Sequence, residues 1–197
     1  MKKTIRLFTV LAVIAGLTMF QTAQSQINYG LKGGLNFATV AGDDVEDVDM
    51  RTGFHVGGFL ELSLLGLAAV EGGVYFSQKG FQMSESFMGM TFEVENISTY
   101  IDIPVVAKFG PIPLIHFYAG PQASLLLNNT VKVDDESESD TEGLRPMDLA
   151  LVVGAGINLP MGLRASIGYD FGLTTLDEDG DFKAYNRVLK FTVGYKF

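Results

Sequence analysis

Charged side chains of both signs recur along this chain at positions that alternate with apolar ones. In an extended strand, positions two apart share one face, so these charges would line the same side. If that side is enclosed, the charges must pair, because an unpaired charge away from water is costly. The pattern predicts an ionic network made of Lys32, Glu61, Glu71, Lys79, Asp102, Lys108, Arg164, Asp170, Lys190 and Lys196.

Two histidines, His55 and His116, fall in the same row as the charges. Histidine pairs occur in metal sites and in acid–base catalysis, but no third ligand stands at a metal-site spacing from them. Hydrogen bonding within the row is the simpler role. Ser124, His116 and Asp102 have the residue types of a hydrolase triad, yet no nucleophile motif surrounds the serine. The sequence therefore favours a protein that is not an enzyme and holds no metal or cofactor.

Acidic residues are concentrated in three segments that do not alternate. These are Asp43, Asp44, Glu46, Asp47 and Asp49; segment 134–142; and Asp177, Glu178, Asp179 and Asp181. Solvated loops whose charges repel one another are the plain interpretation. Segment 177–181 offers oxygen ligands to Ca²⁺, but it lacks the glutamate that completes an EF-hand loop. Contact with a binding partner is the other hypothesis for these loops.

The composition excludes several classes of protein. The formal net charge is -9 at pH 7, whereas nucleic-acid binding depends on basic patches. The chain has no cysteine, so it has neither a disulfide framework nor thiolate chemistry. After the first 20 or so residues, no apolar run reaches the length of about 20 residues that a membrane helix needs. A membrane location would therefore require strands.

The clearest structural signal is the C-terminal segment from Arg187 to Phe197. Its two rows are Leu189, Phe191, Val193, Tyr195 and Phe197 on one side, and Val188, Lys190, Thr192, Gly194 and Lys196 on the other. A period of two indicates a β-strand with one apolar face. A terminal ring suits the aromatic girdle of an outer-membrane barrel, with its carboxylate in water. We predict that Phe191, Val193, Tyr195 and Phe197 form a C-terminal signal for barrel assembly.

Seven further segments show the same alternation of apolar and polar residues. Short and long connections alternate between the segments. The eight segments are Ile27–Thr39, Thr52–Leu64, Leu67–Lys79, Thr91–Phe109, Leu114–Leu127, Met147–Leu159, Leu163–Leu173 and Arg187–Phe197. The short turns are predicted at Leu65-Gly66, Pro111–Pro113 and Pro160–Gly162. The long loops are predicted at Val40–Arg51, Gly80–Met90, Asn128–Pro146 and Leu176–Asn186.

This organisation predicts an all-β fold, an eight-stranded antiparallel up-and-down transmembrane β-barrel. Short periplasmic turns and longer acidic outer loops are typical of such barrels. Each segment has the 9–11 residues, approximately, that a tilted strand needs to cross a bilayer. Glycines inside the strands would allow tight coiling and make room for large inward side chains.

The N-terminus predicts export. Lys2, Lys3 and Arg6 precede the apolar stretch Leu7–Phe20, and Ala23-Gln24-Ser25 offers small residues for cleavage before Gln26. We predict a cleaved signal peptide at residues 1–25 and a barrel domain at 26–197. The alternative is a membrane anchor, but polar residues from Gln21 onward make the run short for a bilayer. Cleavage changes the formal charge from -9 to -12.

Six stretches, in order along the chain, carry a family resemblance. They are Gly53–Phe59, Gly73–Gly80, Tyr100-Ile-Asp-Ile-Pro104, Tyr118–Pro121, Gly168–Leu173 and Val193–Phe197, and the most specific are Ser77-Gln-Lys-Gly80 and Tyr100–Pro104. The chain resembles the outer-membrane β-barrel family of Bacteroidetes, often labelled porin-family or PorT-type proteins. The resemblance implies an eight-stranded barrel in the cell outer membrane, and it implies no single activity.

Three functions follow from these expectations. The first is a structural or interaction barrel with a salt-bridged, plugged lumen and its specificity in the outer loops. Its partners would be outer-membrane lipid, lipopolysaccharide bridged by cations, the barrel-assembly machinery and an envelope protein. The second is a narrow, porin-like pore for small solutes. The third is a water-soluble barrel of the lipocalin type, with the apolar row inside.

Overall fold

The computed structural model describes residues 27–42, 48–64, 67–87, 90–133, 136–139, 141, 143–177 and 183–197. The predicted signal peptide lies outside these residues, and so do most of the predicted loop acids, including four of the five residues in segment 177–181. Within the described ranges, no helix has both the length and the apolar character to cross a membrane.

In the part of the chain that the structure describes, eight long strands and one short strand form a single antiparallel sheet. In chain order they are β1 (Ile27–Ala41), β2 (Asp49–Leu64), β3 (Ala68–Phe87), β4 (Met90–Ile112), β5 (Ile115–Val133), β6 (Glu136–Ser139), β7 (Met147–Asn158), β8 (Leu163–Gly172) and β9 (Tyr185–Lys196). β5 pairs with both β6 and β7, and β1 pairs with β9 to close the barrel. The predicted eight-stranded antiparallel barrel is confirmed, and β6 is an addition to it.

The two ends of the barrel carry different connections. At the turn end, short segments join β2 to β3, β4 to β5 and β7 to β8. The first residue of β1 and the C-terminal Phe197 also lie at this end, since the backbone N–H of Phe197 donates to the Tyr29 carbonyl at 2.9 Å. The opposite, loop end carries the longer connections, which follow β1, β6 and β8, and it also carries the two-residue connection between β3 and β4. One turn is displaced from its predicted place: β4 continues to Ile112, so Pro113 and Leu114 make the turn that was expected at Pro111–Pro113.

Side chains in each barrel strand alternate between the lumen and the outer surface. Ile167 is exposed on the outside, whereas its neighbour Ser166 lines a cavity inside the lumen. The outer row is aliphatic and aromatic, and buried polar residues fill much of the lumen. The lipocalin-type arrangement is therefore wrong, because it would place the apolar row inside.

Aromatic side chains on the outer surface gather near both ends of the barrel. The Phe197 ring lies 5.5 Å from Tyr29 and 5.2 Å from Tyr195 between centroids, at the turn end. Phe54 and Phe76 pair nearer the loop end, with centroids 5.8 Å apart. Such belts mark the two interfaces of a membrane, and the apolar surface between them meets hydrocarbon.

Two of the predicted long loops are largely strand. β3 and β4 remain paired as far as Phe87 opposite Met90, so most of Gly80–Met90 belongs to a hairpin. β5 continues to Val133 and pairs with β6, within the segment predicted as the loop Asn128–Pro146. These predictions were wrong because a hairpin beyond the membrane needs no apolar face. The sequence of such a hairpin therefore lacks the alternation of apolar and polar residues that predicts a strand.

Inward tyrosines occupy space that strand glycines leave open. Tyr118 on β5 points across the lumen, where its hydroxyl donates to the Ile167 carbonyl at 3.3 Å. A Cβ atom at Gly154 or Gly168 would collide with the Tyr118 phenol. The predicted role of the glycines, to admit large inward neighbours, holds at these two positions.

Replacing Gly168 with alanine is expected to destabilise the barrel by about 1–3 kcal/mol, because the new methyl group overlaps the Tyr118 hydroxyl. Tyr118→Phe in the same chain should recover most of this loss, since the phenol oxygen makes the closest contact. Urea unfolding in lipid vesicles measures both. Gly72→Ala is the control, because the nearest atom to its Cβ lies 4.0 Å away. An equal loss in Gly168→Ala with and without Tyr118→Phe would contradict the explanation.

Candidate functional site

The lumen contains a group of five ionised side chains near the turn end. We call Lys32, Glu61, Glu71, Lys108 and Arg164 the turn-end cluster. Arg164 donates two hydrogen bonds to Glu61, at 2.7 and 2.8 Å, and Lys108 donates a third at 2.7 Å. These contacts join β2, β4 and β8 across the lumen. Two parallel bonds from a guanidinium to a carboxylate also fix the orientation of both side chains.

Glu71 completes the turn-end cluster. It accepts hydrogen bonds from Lys32 and, at 3.1 Å, from Lys108. The Arg164 guanidinium lies 3.7 Å from the same carboxylate. Lys32 Nζ also lies 4.5 Å from the centroid of the Phe59 ring, in a cation–π contact. The cluster therefore holds three cations and two carboxylates.

A second group, the loop-side cluster, consists of Lys79, Asp102, Asp170 and Lys190. Asp102 lies 2.8 Å from Lys79 Nζ and 3.1 Å from Lys190 Nζ, and Lys190 lies 2.6 Å from Asp170. Ser124 donates to Asp102 at 2.6 Å. Lys79 is only 1% exposed, so its charge depends wholly on these partners and on the Tyr100 ring, whose centroid is 4.6 Å away. Here cations and carboxylates are equal in number.

The two histidines have different surroundings. His55 Nδ1 lies 2.8 Å from Asn36 Oδ1, and its Nε2 lies 3.0 Å from Thr192 Oγ1, so both ring nitrogens are bonded. His116 is buried beside the turn-end cluster, and its Nδ1 has no partner among the described residues. Ser124 bonds directly to Asp102 and not to His116, so the geometry of a hydrolase triad is not assembled. In the described part of the chain, no three His, Cys, Asp or Glu residues are placed to hold a metal ion.

All ten lumen residues predicted from the sequence lie inside the barrel, buried or half-buried: Lys32, His55, Glu61, Glu71, Asp102, Lys108, His116, Arg164, Asp170 and Lys190. Lys79 belongs to the loop-side cluster, and Lys196 lines the turn-end mouth. The predicted assembly-signal residues, Phe191, Val193, Tyr195 and Phe197, all lie exposed on the outer surface.

Sequence reasoning missed two polar groups nearer the loop end. Arg51 lay in a predicted loop, but its Nε donates to Glu95 at 2.7 Å inside the extended β2. Asp148, which is 2% exposed, accepts bonds from Thr174 at 2.6 Å and from Asn186 at 2.9 Å. Asp148 stood in the inward row of its segment, so the alternation signal was present. Arg51 lacked such a signal, because the strand was predicted to begin after it.

Two cavities lie along the lumen, and the turn-end cluster stands between them. The turn-end vestibule, about 270 Å³, is lined by Ser63, Ala69 and Lys196 among others. The central cavity, about 80 Å³, reaches from the turn-end cluster to Asp170 and Lys190 of the loop-side cluster. Lys108, Arg164 and His116 line both cavities. A solute moving along the axis would have to displace the bonded side chains of Lys108 and Arg164.

Comparisons with known proteins agree with this architecture. A family model described as outer membrane protein beta-barrel domain matches residues 21–178. No curated protein matches the sequence.

Solved structures show the same fold. One is Ail, the attachment invasion locus protein of Yersinia pestis, in complex with the heparin analogue sucrose octasulfate. It has a TM-score of 0.55 and 16% identity, covering 87% of this chain and 99% of that one. Neisserial surface protein A gives a TM-score of 0.54 and 12% identity, with 86% and 97% covered.

The family match spans most of the sequence, and the closed barrel with an apolar exterior agrees with the description of that family. The ion pairs of the two lumen clusters are buried inside the barrel. The chain belongs to the outer-membrane β-barrel domain family, and it is an integral outer-membrane protein.

Proposed function

We propose that this protein is a non-enzymatic surface barrel that binds its partner through the loop end, while its lumen is plugged. The observation that carries the proposal is the pair of buried ionic clusters, which fill the lumen where a solute would pass. An eight-stranded barrel is only just wide enough for its own side chains. With the lumen so occupied, the surfaces left for recognition are at the two ends.

Strand lengths favour the loop end as the binding surface. β3, β4 and β5 contain 20, 23 and 19 residues, whereas β7, β8 and β9 contain 12, 10 and 12. About 9–11 residues are enough to cross the bilayer. The surplus therefore projects from one side of the barrel, with β6 paired to it. This extension supplies a β-sheet surface on which a partner can bind.

Charge favours a cationic partner. The loop segments are rich in Asp and Glu, so a polyanion would be repelled and a basic protein surface or a divalent cation attracted. We include cation-bridged lipopolysaccharide and a basic envelope protein as partner classes. The solved Ail complex holds a heparin analogue, and we expect this chain to differ in that respect.

Binding measured on the barrel in lipid nanodiscs tests this proposal. A basic polypeptide such as polylysine, and lipopolysaccharide with Mg²⁺, should bind, whereas sucrose octasulfate should not. The matched variant changes Asp43, Asp44, Glu46, Asp47 and Asp49 to their amides, and it should bind polylysine more weakly and with a smaller dependence on salt. Equal binding of polylysine by the unaltered barrel and the variant, or strong binding of sucrose octasulfate, would overturn the proposal.

The alternative function is a narrow pore for small solutes, and the two lumen cavities are the observation that favours it. We expect purified protein in planar bilayers to show no steady single-channel current. Arg164→Ala should connect the vestibule to the central cavity and still conduct no current, because the loop-side cluster remains. Steady openings of the unaltered protein would contradict the plugged lumen and favour the pore.

The remaining parts of the proposal concern biogenesis and orientation. We propose that residues 1–25 are a cleaved signal peptide, that the turn end faces the periplasm, and that the assembly machinery recognises the C-terminal strand. We also propose the finer assignment to the PorT-type, porin-family barrels of Bacteroidetes, which rests on Tyr100–Pro104 and the related stretches. Mass spectrometry of the mature N-terminus tests the first point: a chain that begins at Gln26 supports cleavage, and one that retains Met1 contradicts it.

A further inference from the structure

The central cavity lies between the two ionic clusters along the barrel axis. Lys32, Lys108 and Arg164 reach it from the turn-end side, and Asp170 and Lys190 reach it from the loop side. Its other lining includes apolar groups, among them Pro104, Val106 and Val152. A cavity of about 80 Å³ has room for several waters or for one molecule of about five non-hydrogen atoms.

The turn-end wall of this cavity carries more positive than negative charge. Its cluster contains three cations but only the carboxylates of Glu61 and Glu71. The buried carboxylates of Asp102 and Asp170 are paired with Lys79 and Lys190 in the loop-side cluster, and that of Asp148 is bonded to Thr174 and Asn186. Since the interior screens charge weakly, the surplus cation favours a bound anion.

Two residues that line the cavity each have a buried polar atom without a partner among the described residues. His116 is 6% exposed and its Nδ1 is unbonded, and Asp170 is 2% exposed with Oδ1 unbonded. A buried polar atom without a partner costs about 1–3 kcal/mol, so each favours a ligand that completes its bonding. A carboxylate oxygen can accept from the His116 ring N–H. Asp170 Oδ1 is an acceptor, so it requires a donor on the ligand.

We propose that the central cavity binds a small hydroxycarboxylate monoanion of two or three carbons. Its carboxylate would lie against the turn-end cations and His116, and its hydroxyl would donate to Asp170 Oδ1. The short carbon chain would contact the apolar part of the lining. A halide or a nitrate ion offers no donor for Asp170, and a neutral diol leaves the surplus charge unbalanced. The occupant would be taken up as the barrel closes and would not require a conducting lumen.

Glycolate is the probe, with acetate, chloride and ethylene glycol as comparisons. The full barrel is refolded into micelles at a series of ¹³C-glycolate concentrations, and bound ligand is measured by NMR. Glycolate should bind at least tenfold more tightly, approximately, than acetate, because acetate leaves Asp170 Oδ1 unbonded. Absence of glycolate binding, or equal binding of acetate and chloride, would overturn the proposal.

Lys32→Met is the decisive variant, because it leaves two cations facing two carboxylates and keeps Glu71 bonded to Lys108. It should fold, as shown by heat-modifiable gel migration, and lose glycolate binding by about tenfold or more. Lys132→Met, which removes an exposed cation near the loop end, is the charge-matched control and should bind normally. Retention of full affinity in Lys32→Met, or equal losses in both variants, would refute a site at the turn-end cluster.

Discussion

Glu61→Gln should be among the most destabilising single substitutions in this barrel, with an expected loss of about 3–5 kcal/mol in the free energy of unfolding. Glu61 accepts two hydrogen bonds from Arg164 and one from Lys108, all inside the lumen. The amide keeps the shape of the carboxylate but removes its charge. Two buried cations then depend on Glu71, which Lys32 already contacts. Urea unfolding in lipid vesicles measures the loss.

Two further variants distinguish the loss of a buried counter-charge from a general effect of mutation. Glu138→Gln makes the same chemical change at an exposed position of β6, and it should alter stability by less than about 0.5 kcal/mol. Replacing Glu61, Lys108 and Arg164 together by Gln, Met and Met removes the charges with their partners, so it should recover most of the loss. If the triple variant were less stable than Glu61→Gln, the cost would not arise from unpaired cations.

Removing one charge should therefore cost more stability than removing that charge together with its partners. This difference bears on why the lumen is ionic. Taking charges out of water is expensive, and a paired network does no more than repay that cost. Removing one charged side chain destabilises the barrel much more, because its partners remain buried without a counter-charge. Glu61 lies on β2 and Arg164 lies on β8. A barrel that closes in a register that separates these two residues is therefore less stable. A shift of one residue in either strand would turn its charge toward lipid.

The sequence was sufficient to predict the barrel and the direction of its rows. Alternation in segments such as Leu163–Leu173 identifies strands, and an aliphatic and aromatic row opposite an ionic one identifies the lipid-facing side. Residues such as Asp102 and Lys190 could therefore be assigned to the lumen without coordinates. Both rows follow from the period of two, which depends on local geometry alone.

Pairing within the lumen could not be predicted in this way. Glu61 and Arg164 are 103 positions apart, and their contact depends on the register of every strand between them. The β4–β5 ladder shifts register between Thr99 and Tyr100, a change that alternation does not specify. The division into a cluster of three cations with two carboxylates and a balanced cluster is thus a property of the closed barrel.

Deleting Phe197 should reduce the amount of assembled barrel in the outer membrane by about tenfold or more, which is our prediction with the largest effect in cells. Phe197 lies on the outer surface at the closing strand, where its backbone N–H bonds to Tyr29 and its ring meets Tyr29 and Tyr195. A strand end that is both exposed and at the closing seam is accessible to an assembly factor before closure. Quantitative immunoblots of outer-membrane fractions measure the effect.

A lost ring contact could also lower the stability of the finished barrel, so the test must distinguish stability from recognition. Phe109→Ala removes a lipid-facing ring that is 55% exposed, against 60% for Phe197, and it should leave the assembled amount nearly unchanged. Refolding of the purified Phe197 deletion into detergent should proceed almost normally, since one exposed ring buries little area from water. If refolding in detergent failed as severely as assembly in cells, Phe197 would act by stabilising the barrel seam. Normal refolding with failed assembly would locate its role in recognition of the unfolded chain.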